Sequence, residues 1–195
     1  MSSRPTVLIF TYSEHGQANV NLATTYELAL AGADVHIASF ASLRTRVARL
    51  QELVDRHPSR SGGRSTGSII FHEFKGISSY MEAARKHGVI PANIPHPHGV
   101  LGALEAFSKM WFLVFPWSEE EYLATIAMVK EIVATTKPDI VVIDAAFYAA
   151  QDACKITNQN FMILTPNGIK ENVVIGQPYL AASWKYPVSV VVKFC

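Results

Sequence analysis

A histidine near an acid is the pairing in this sequence best suited to moving a proton. His15 lies in a polar stretch, Tyr12-Ser-Glu-His-Gly-Gln17, and Asp144 closes an apolar run, Ile140-Val-Val-Ile143. An imidazole takes a proton from a substrate hydroxyl, and a carboxylate that orients the ring stabilises the imidazolium that forms. Gln17, Asn19, Thr165 and Asn167 add uncharged hydrogen-bonding groups in loops of the same kind. A histidine in a polar loop also serves as a surface or capping residue, and Asp144 also suits the N-cap of a helix starting at Ala145. On the residues alone both pairs of readings stay open. An unpaired charge at the end of a buried strand is costly, so Asp144 needs partners in either case.

Other chemistries find less support. Glu14-His-Gly-Gln-Ala-Asn19 has a single glycine where a dinucleotide fingerprint needs three. There is no Walker loop, no zinc-ligand spacing and no nucleophile elbow. His96 and His98 flank Pro97, which suits loop residues better than metal ligands. A flavodoxin-like or reductase domain, which would carry a bound flavin or nicotinamide, is disfavoured by the missing glycines. The expectation is a chain that binds no cofactor or metal of its own.

These residues need a frame that brings them to one edge. Val7-Leu8-Ile9-Phe10 is a continuous apolar run suited to a strand buried on both faces. A helix over about Asn19–Ala31 follows, with Val20, Ala23, Leu28 and Ala31 as its apolar face and Gly32 in the left-handed position that ends it. Asp34–Ser39 is the second strand, Ser42–Arg56 a helix, and His57–Gly67 a polar, glycine-rich loop. Ser68–Phe74 is the third strand. Gly76–Pro97 is irregular, and Val100–Phe115 has the composition of a buried helix. Ser118 caps a helix that opens on three glutamates and runs to about Thr136. Pro138 precedes the strand Ile140–Asp144, Ala145–Ile156 is helical, and Phe161–Thr165 is a buried strand. Strands alternating with helices define an α/β fold, a Rossmann-like parallel sheet with helices on both faces. In such sheets ligands sit at the carboxyl ends of the strands. That edge collects the loops Tyr12–Gln17, Asp144–Tyr148 and Thr165–Gly168.

Composition agrees with this frame. Of 195 residues 49% are apolar and 17% charged, which excludes a disordered chain and suits a doubly covered sheet. The arginines at 44, 46, 49, 56, 60 and 64 are interrupted by Glu52 and Asp55, and the formal net charge is +1. That pattern is a solvated face, and no nucleic-acid partner is expected. Cys154 and Cys195 form no disulfide framework. The first strand begins directly after Met1–Pro5, and no stretch is long enough to span a bilayer, so a cytoplasmic chain without a membrane span is expected.

The run from His15-Gly-Gln-Ala-Asn-Val to Asp34-Val-His-Ile-Ala-Ser39 resembles the opening loop, helix and second strand of the family 1 UDP-glycosyltransferases, in a variant similar to a fungal branch. Lys137-Pro-Asp-Ile-Val-Val-Ile-Asp144, the helix holding Asp152-Ala-Cys154, Thr165-Pro-Asn167, Gln177-Pro178 and Trp184-Lys-Tyr-Pro187 match further blocks in order. The resemblance covers about residues 5–187 and implies the N-terminal, acceptor-side domain of a GT-B glycosyltransferase over 1–187. On the same resemblance residues 188–195 are expected to be an atypical tail, and no C-terminal donor-binding domain is expected within these residues. It also implies a function for the complete enzyme: transfer of a hexose from a UDP-sugar co-substrate to a hydroxyl of a small lipophilic acceptor, with inversion.

In that family a His-Asp dyad on this domain deprotonates the acceptor. Asp144 falls on the dyad aspartate. Gln17 falls at the histidine's position, and His15 lies two residues earlier. Gln17, Asn19, Thr165 and Asn167 are the remaining cleft candidates. Phe107, Trp111, Phe112 and Phe115 suit either the wall of an acceptor pocket or ordinary core. The chain alone is then expected to be inactive. The alternative is a non-catalytic acceptor-binding or scaffold subunit that pairs with a separate donor-binding chain.

Overall fold

The structure is a computed structural model of the 195-residue chain, described over residues 4–57, 65–89, 104, 108, 112 and 115–166. Two compact units divide it: Met1–Ala83 with Trp117–Pro166, and Ala84–Pro116 with Asn167–Cys195.

The first unit holds a five-stranded sheet. Its elements are β1 (Thr6–Phe10), α1 (His15–Leu30), β2 (Asp34–Ser39), α2 (Arg44–Arg56) after a short 3-10 turn at Ala41–Leu43, and β3 (Ile69–Glu73). Then come α3 (Tyr80–Lys86), which ends in the second unit, α4 (Glu119–Thr136), β4 (Ile140–Asp144), α5 (Tyr148–Ile156) and β5 (Met162–Leu164). The strand order is β3-β2-β1-β4-β5, and every pairing is parallel. The chain therefore builds outward from β1 in one direction, then returns to β1's other side with β4. The junction of β1 and β4 is the switch point of the sheet, where such folds leave a crevice. Register sets Phe10 beside Ile143, so Thr11 and Asp144 follow at adjacent strand ends.

The alternation of a strand's side chains explains why β1 is apolar throughout. Leu8 and Phe10 point into one core with Val141, Ile143, Val129 of α4 and Ala150 of α5. Val7 and Ile9 point into the other, with Ala18 and Leu22 of α1 and Val47 of α2. α4 begins with a capping box: Ser118 Oγ accepts from the Glu121 amide at 3.2 Å, and a Glu121 carboxylate oxygen accepts from the Ser118 amide at 3.3 Å. It ends at Lys137, whose φ of 48° places it in the left-handed region just before Pro138. Gly32, with φ of +92°, turns the chain out of α1 as expected.

Several expectations shift. α1 starts at His15, four residues early, and its buried face holds Ala18, Asn21, Leu22, Thr25, Ala29 and Leu30, while Ala23 and Ala31 are exposed. The apolar pattern hid this because Asn21 and Thr25, both polar, are buried with local hydrogen bonds. The stretch expected to be irregular contains α3, opened by Glu82, whose carboxylate accepts from the Ser79 amide and hydroxyl at 2.9 and 2.8 Å. β5 was expected to be buried, yet Met162 and Ile163 are 63% and 55% exposed, because β5 is the last strand of the described sheet and pairs only with β4. Most of Val100–Phe115 lies outside the described residues. Within it Leu104, Ser108 and Phe112 are helical, and Leu104 is 61% exposed. In that second unit the His87 ring stacks on Phe112 at 4.5 Å and bonds the Pro116 carbonyl at 3.0 Å.

Candidate active site at the switch point of the sheet

Asp144 ends β4 with no exposed surface. It is not a helix cap, because α5 starts only at Tyr148 and its N-cap is Phe147. Instead the chain turns sharply after it: one Asp144 carboxylate oxygen accepts from the Ala146 amide at 3.0 Å, and the Phe147 amide donates to the Asp144 carbonyl at 2.9 Å. The other oxygen lies 3.4 Å from the Thr11 hydroxyl. The Gln17 amide lies 3.2 Å from both carboxylate oxygens, and the orientation that places its nitrogen there pairs a donor with two acceptors.

His15 does not take that place. One residue of α-helix turns about 100°, so His15 and Gln17 point to nearly opposite sides of α1. Gln17 faces the sheet; His15, the first residue of the helix, is exposed and makes no hydrogen bond with Asp144. Asn19, a further half-turn on, is also exposed and accepts from Arg46 of α2. Gln17 and Asn21 are four apart and share a face, and the Asn21 amide donates to the Gln17 carbonyl at 3.1 Å and to Thr11 Oγ at 3.0 Å. Thr165 is half-buried just beyond β5, and Asn167 lies outside the described residues.

Thr11, Glu14 and Asn21 were not singled out from the sequence. Thr11 is the first polar residue after β1, and Asn21 sits one turn beyond Gln17; both spacings were visible once the helix start was known. Glu14 precedes α1 without capping it, and its carboxylate accepts instead from the Met81 amide at 3.1 Å. Its second oxygen is buried without a partner. Burial raises the Glu14 carboxyl above the ordinary range, with the Met81 amide pulling it down and Glu82 adding to the rise. Burial likewise raises Asp144, against the Ala146 amide and the Thr11 hydroxyl, and the nearby Glu14 charge adds to it.

An aromatic wall stands beside these groups. Tyr12 is buried with its hydroxyl donating to the Ala146 carbonyl at 2.8 Å, and its ring meets Phe147, Tyr80 and Trp117 at 4.8, 5.3 and 5.6 Å. Trp117 is fixed by its indole N–H on the Ser78 carbonyl at 2.8 Å. A cavity of about 530 Å³ lies elsewhere, between β3 and α4, lined by Phe71, His72, Lys75, Met128 and Glu131 among others. None of the groups around Asp144 reaches it. Among the described residues no group of three or more His, Cys, Asp or Glu side chains could hold a metal ion, and no helix is long and apolar enough to cross a membrane.

No protein-family model matches the chain. Solved structures show its fold. SsfS6, a glycosyltransferase of Streptomyces sp. SF2575, superposes with a TM-score of 0.54 at 10% identity, over 83% of this chain and 39% of that one. CalG4, the calicheamicin glycosyltransferase, superposes with a TM-score of 0.50 at 14% identity, over 99% and 43%. Arabidopsis thaliana UGT89C1 complexed with quercetin superposes with a TM-score of 0.50 at 13% identity, over 91% and 39%. The fold is that of the N-terminal domain of GT-B glycosyltransferases.

Sequence supplies the particular relative. Over 190 residues the chain is 30% identical to glycosyltransferase sdnJ of Sordaria araneosa, covering 95% of this chain and 36% of that protein. It thus spans about a third of the length of the curated relative it matches, and fold and sequence both set it beside the N-terminal half of the GT-B glycosyltransferases.

Proposed function

We propose that this chain is the acceptor-side domain of a UDP-glycosyltransferase, binding a small lipophilic hydroxylated acceptor at the carboxyl ends of β1 and β4. The observation that carries this reading is Asp144, a fully buried carboxyl at the switch point of the sheet, gathered with Gln17 and an aromatic wall at one edge. A UDP-sugar would be held by a second domain outside these residues. The complete enzyme would move the acceptor proton to a base while the hydroxyl oxygen attacks the anomeric carbon and UDP departs, inverting that centre. The 195 residues alone would not turn a sugar over.

Gln17 favours a second reading. It occupies the place against Asp144 that a base would need, and an amide takes no proton at neutral pH. The chain would then bind the acceptor without activating it, as a subunit for a separate donor-binding chain. The domain reading itself is tested by calorimetric titration of the purified chain with quercetin and with UDP. Quercetin should bind and UDP should not; binding of UDP without quercetin would sink it. Between the two readings, co-purification of a UDP-binding partner from the source favours the subunit.

A further inference from the structure

The direction of the Thr11 hydrogen bond beside Asp144 is set from behind by one residue. Asn21 is 1% exposed, so it sits beneath the site and not in it. The Gln17 carbonyl 3.1 Å from it can only accept, so the atom of Asn21 that faces it must be the nitrogen. That same nitrogen is 3.0 Å from Thr11 Oγ and donates to it as well. With that lone pair occupied, the single Thr11 proton is left for the Asp144 carboxylate at 3.4 Å or the Tyr12 carbonyl at 3.3 Å. The Ala146 amide and the Gln17 amide already point their hydrogens at Asp144. A carboxyl surrounded by donors alone holds its negative form more firmly than one that must offer a proton.

We infer that Asn21 is a positioning residue: acting through Thr11, it directs the Thr11 hydroxyl proton onto Asp144 and so holds this buried carboxyl in its ionised form behind Gln17. The inference rests on the reading of this edge as the acceptor site. The titratable groups facing Asp144 are Glu14 and Tyr12, both from the segment after β1, and neither belongs to the relay.

The test follows the Asp144 carboxyl carbon by NMR through a pH titration of the free, full chain, with its signal assigned by its loss in Asp144→Asn. Asn21→Leu and Thr11→Val should each raise the Asp144 midpoint by about one pH unit. The double variant should go no further, because both changes remove one relay. Thr11→Ser, which keeps the hydroxyl, should hold the original midpoint. Should Asn21→Leu fail to fold, Thr11→Val with its serine rescue decides alone. Unmoved midpoints, or single shifts that sum in the double variant, overturn the relay. No ligand is involved, so a chain that binds no quercetin yet shows the shifts removes the functional reading and leaves the relay standing.

Discussion

The amide of Gln17 lies 3.2 Å from both carboxylate oxygens of Asp144, across residues 127 positions apart in the chain. The pair joins the first turn of α1 to the end of β4, and the Thr11 hydroxyl and the Ala146 amide add two further contacts to the same carboxylate. Removing the carboxyl orphans several donors at once. Asp144→Ala should therefore destabilise the chain by about 2–4 kcal/mol, and Asp144→Asn by less, since one acceptor oxygen remains. Urea unfolding at neutral pH measures both. Equal costs for the two variants would show that packing, not hydrogen bonding, holds this position.

Glu14 gives a pH signature with an unusual sign. Its folded-state carboxyl is raised by burial above the ordinary value it has when unfolded. The folded state thus holds the proton more tightly, a contribution fully present below the ordinary carboxyl range and lost as pH climbs through the raised folded value. Glu14→Gln keeps an oxygen for the Met81 amide and does not ionise. Its stability relative to the parent should therefore improve from pH 4 to pH 8, as followed by urea midpoints. A difference that stays constant with pH removes the argument.

The paired histidines on β2 and β3 carry the opposite sign. His36 Nδ1 and His72 Nε2 are 2.8 Å apart with stacked rings. Burial lowers both below the usual imidazole value; for His72 the neighbouring His36 lowers it further, and for His36 the Asp34 charge pulls the other way. The contribution is present above the unfolded value near 6.5 and is lost as pH falls through the lowered folded values. His72→Gln should flatten the fall in melting temperature between pH 7 and pH 5. An undiminished fall in the variant would place its origin elsewhere.

Gly67 is required by close approach. A Cβ built there would lie 1.8 Å from the Ala33 carbonyl oxygen, and its own amide donates to the Ala29 carbonyl at 2.8 Å. Backbone on both sides leaves no flexible group to yield. Gly67→Ala should cost about 2–4 kcal/mol and expose the end of α1 to amide exchange. A variant that exchanges like the parent refutes the clash.

Much of this architecture was legible because its signals are local. Ile140–Ile143 is an apolar run behind a proline, Ser118 with Glu121 carries its own cap, and Gly32 marks its own turn. The start of α1 was not legible, since a polar first turn looks like loop until the Glu14 carbonyl accepts from the Gln17 and Ala18 amides. The helix start also decides which loop residue stands against Asp144. With His15 taken as loop it was free to reach Asp144; as the first residue of a helix it is turned away, and Gln17 and Asn21 come round together. α3 was hidden for the same reason, because seven residues are too few to show a period. Asp144 stood out by type and place, but its side-chain partners Thr11 and Gln17 come from the loop after β1 and from α1, which no spacing near residue 144 reveals.

The strand order has a consequence for how the site comes into being. β1 is made first and β4 more than a hundred residues later, yet the Thr11–Asp144 contact spans a sequence separation of 133. β2 can pair with β1, and β3 with β2, soon after synthesis, while the other flank of β1 stays open until β4 arrives. Closing so long a loop is entropically slow, so this crevice is assembled late. A nascent chain released before Asp144 emerges would expose one side of β1 as a bare template edge, and that intermediate is where chaperone dependence or misassembly would concentrate.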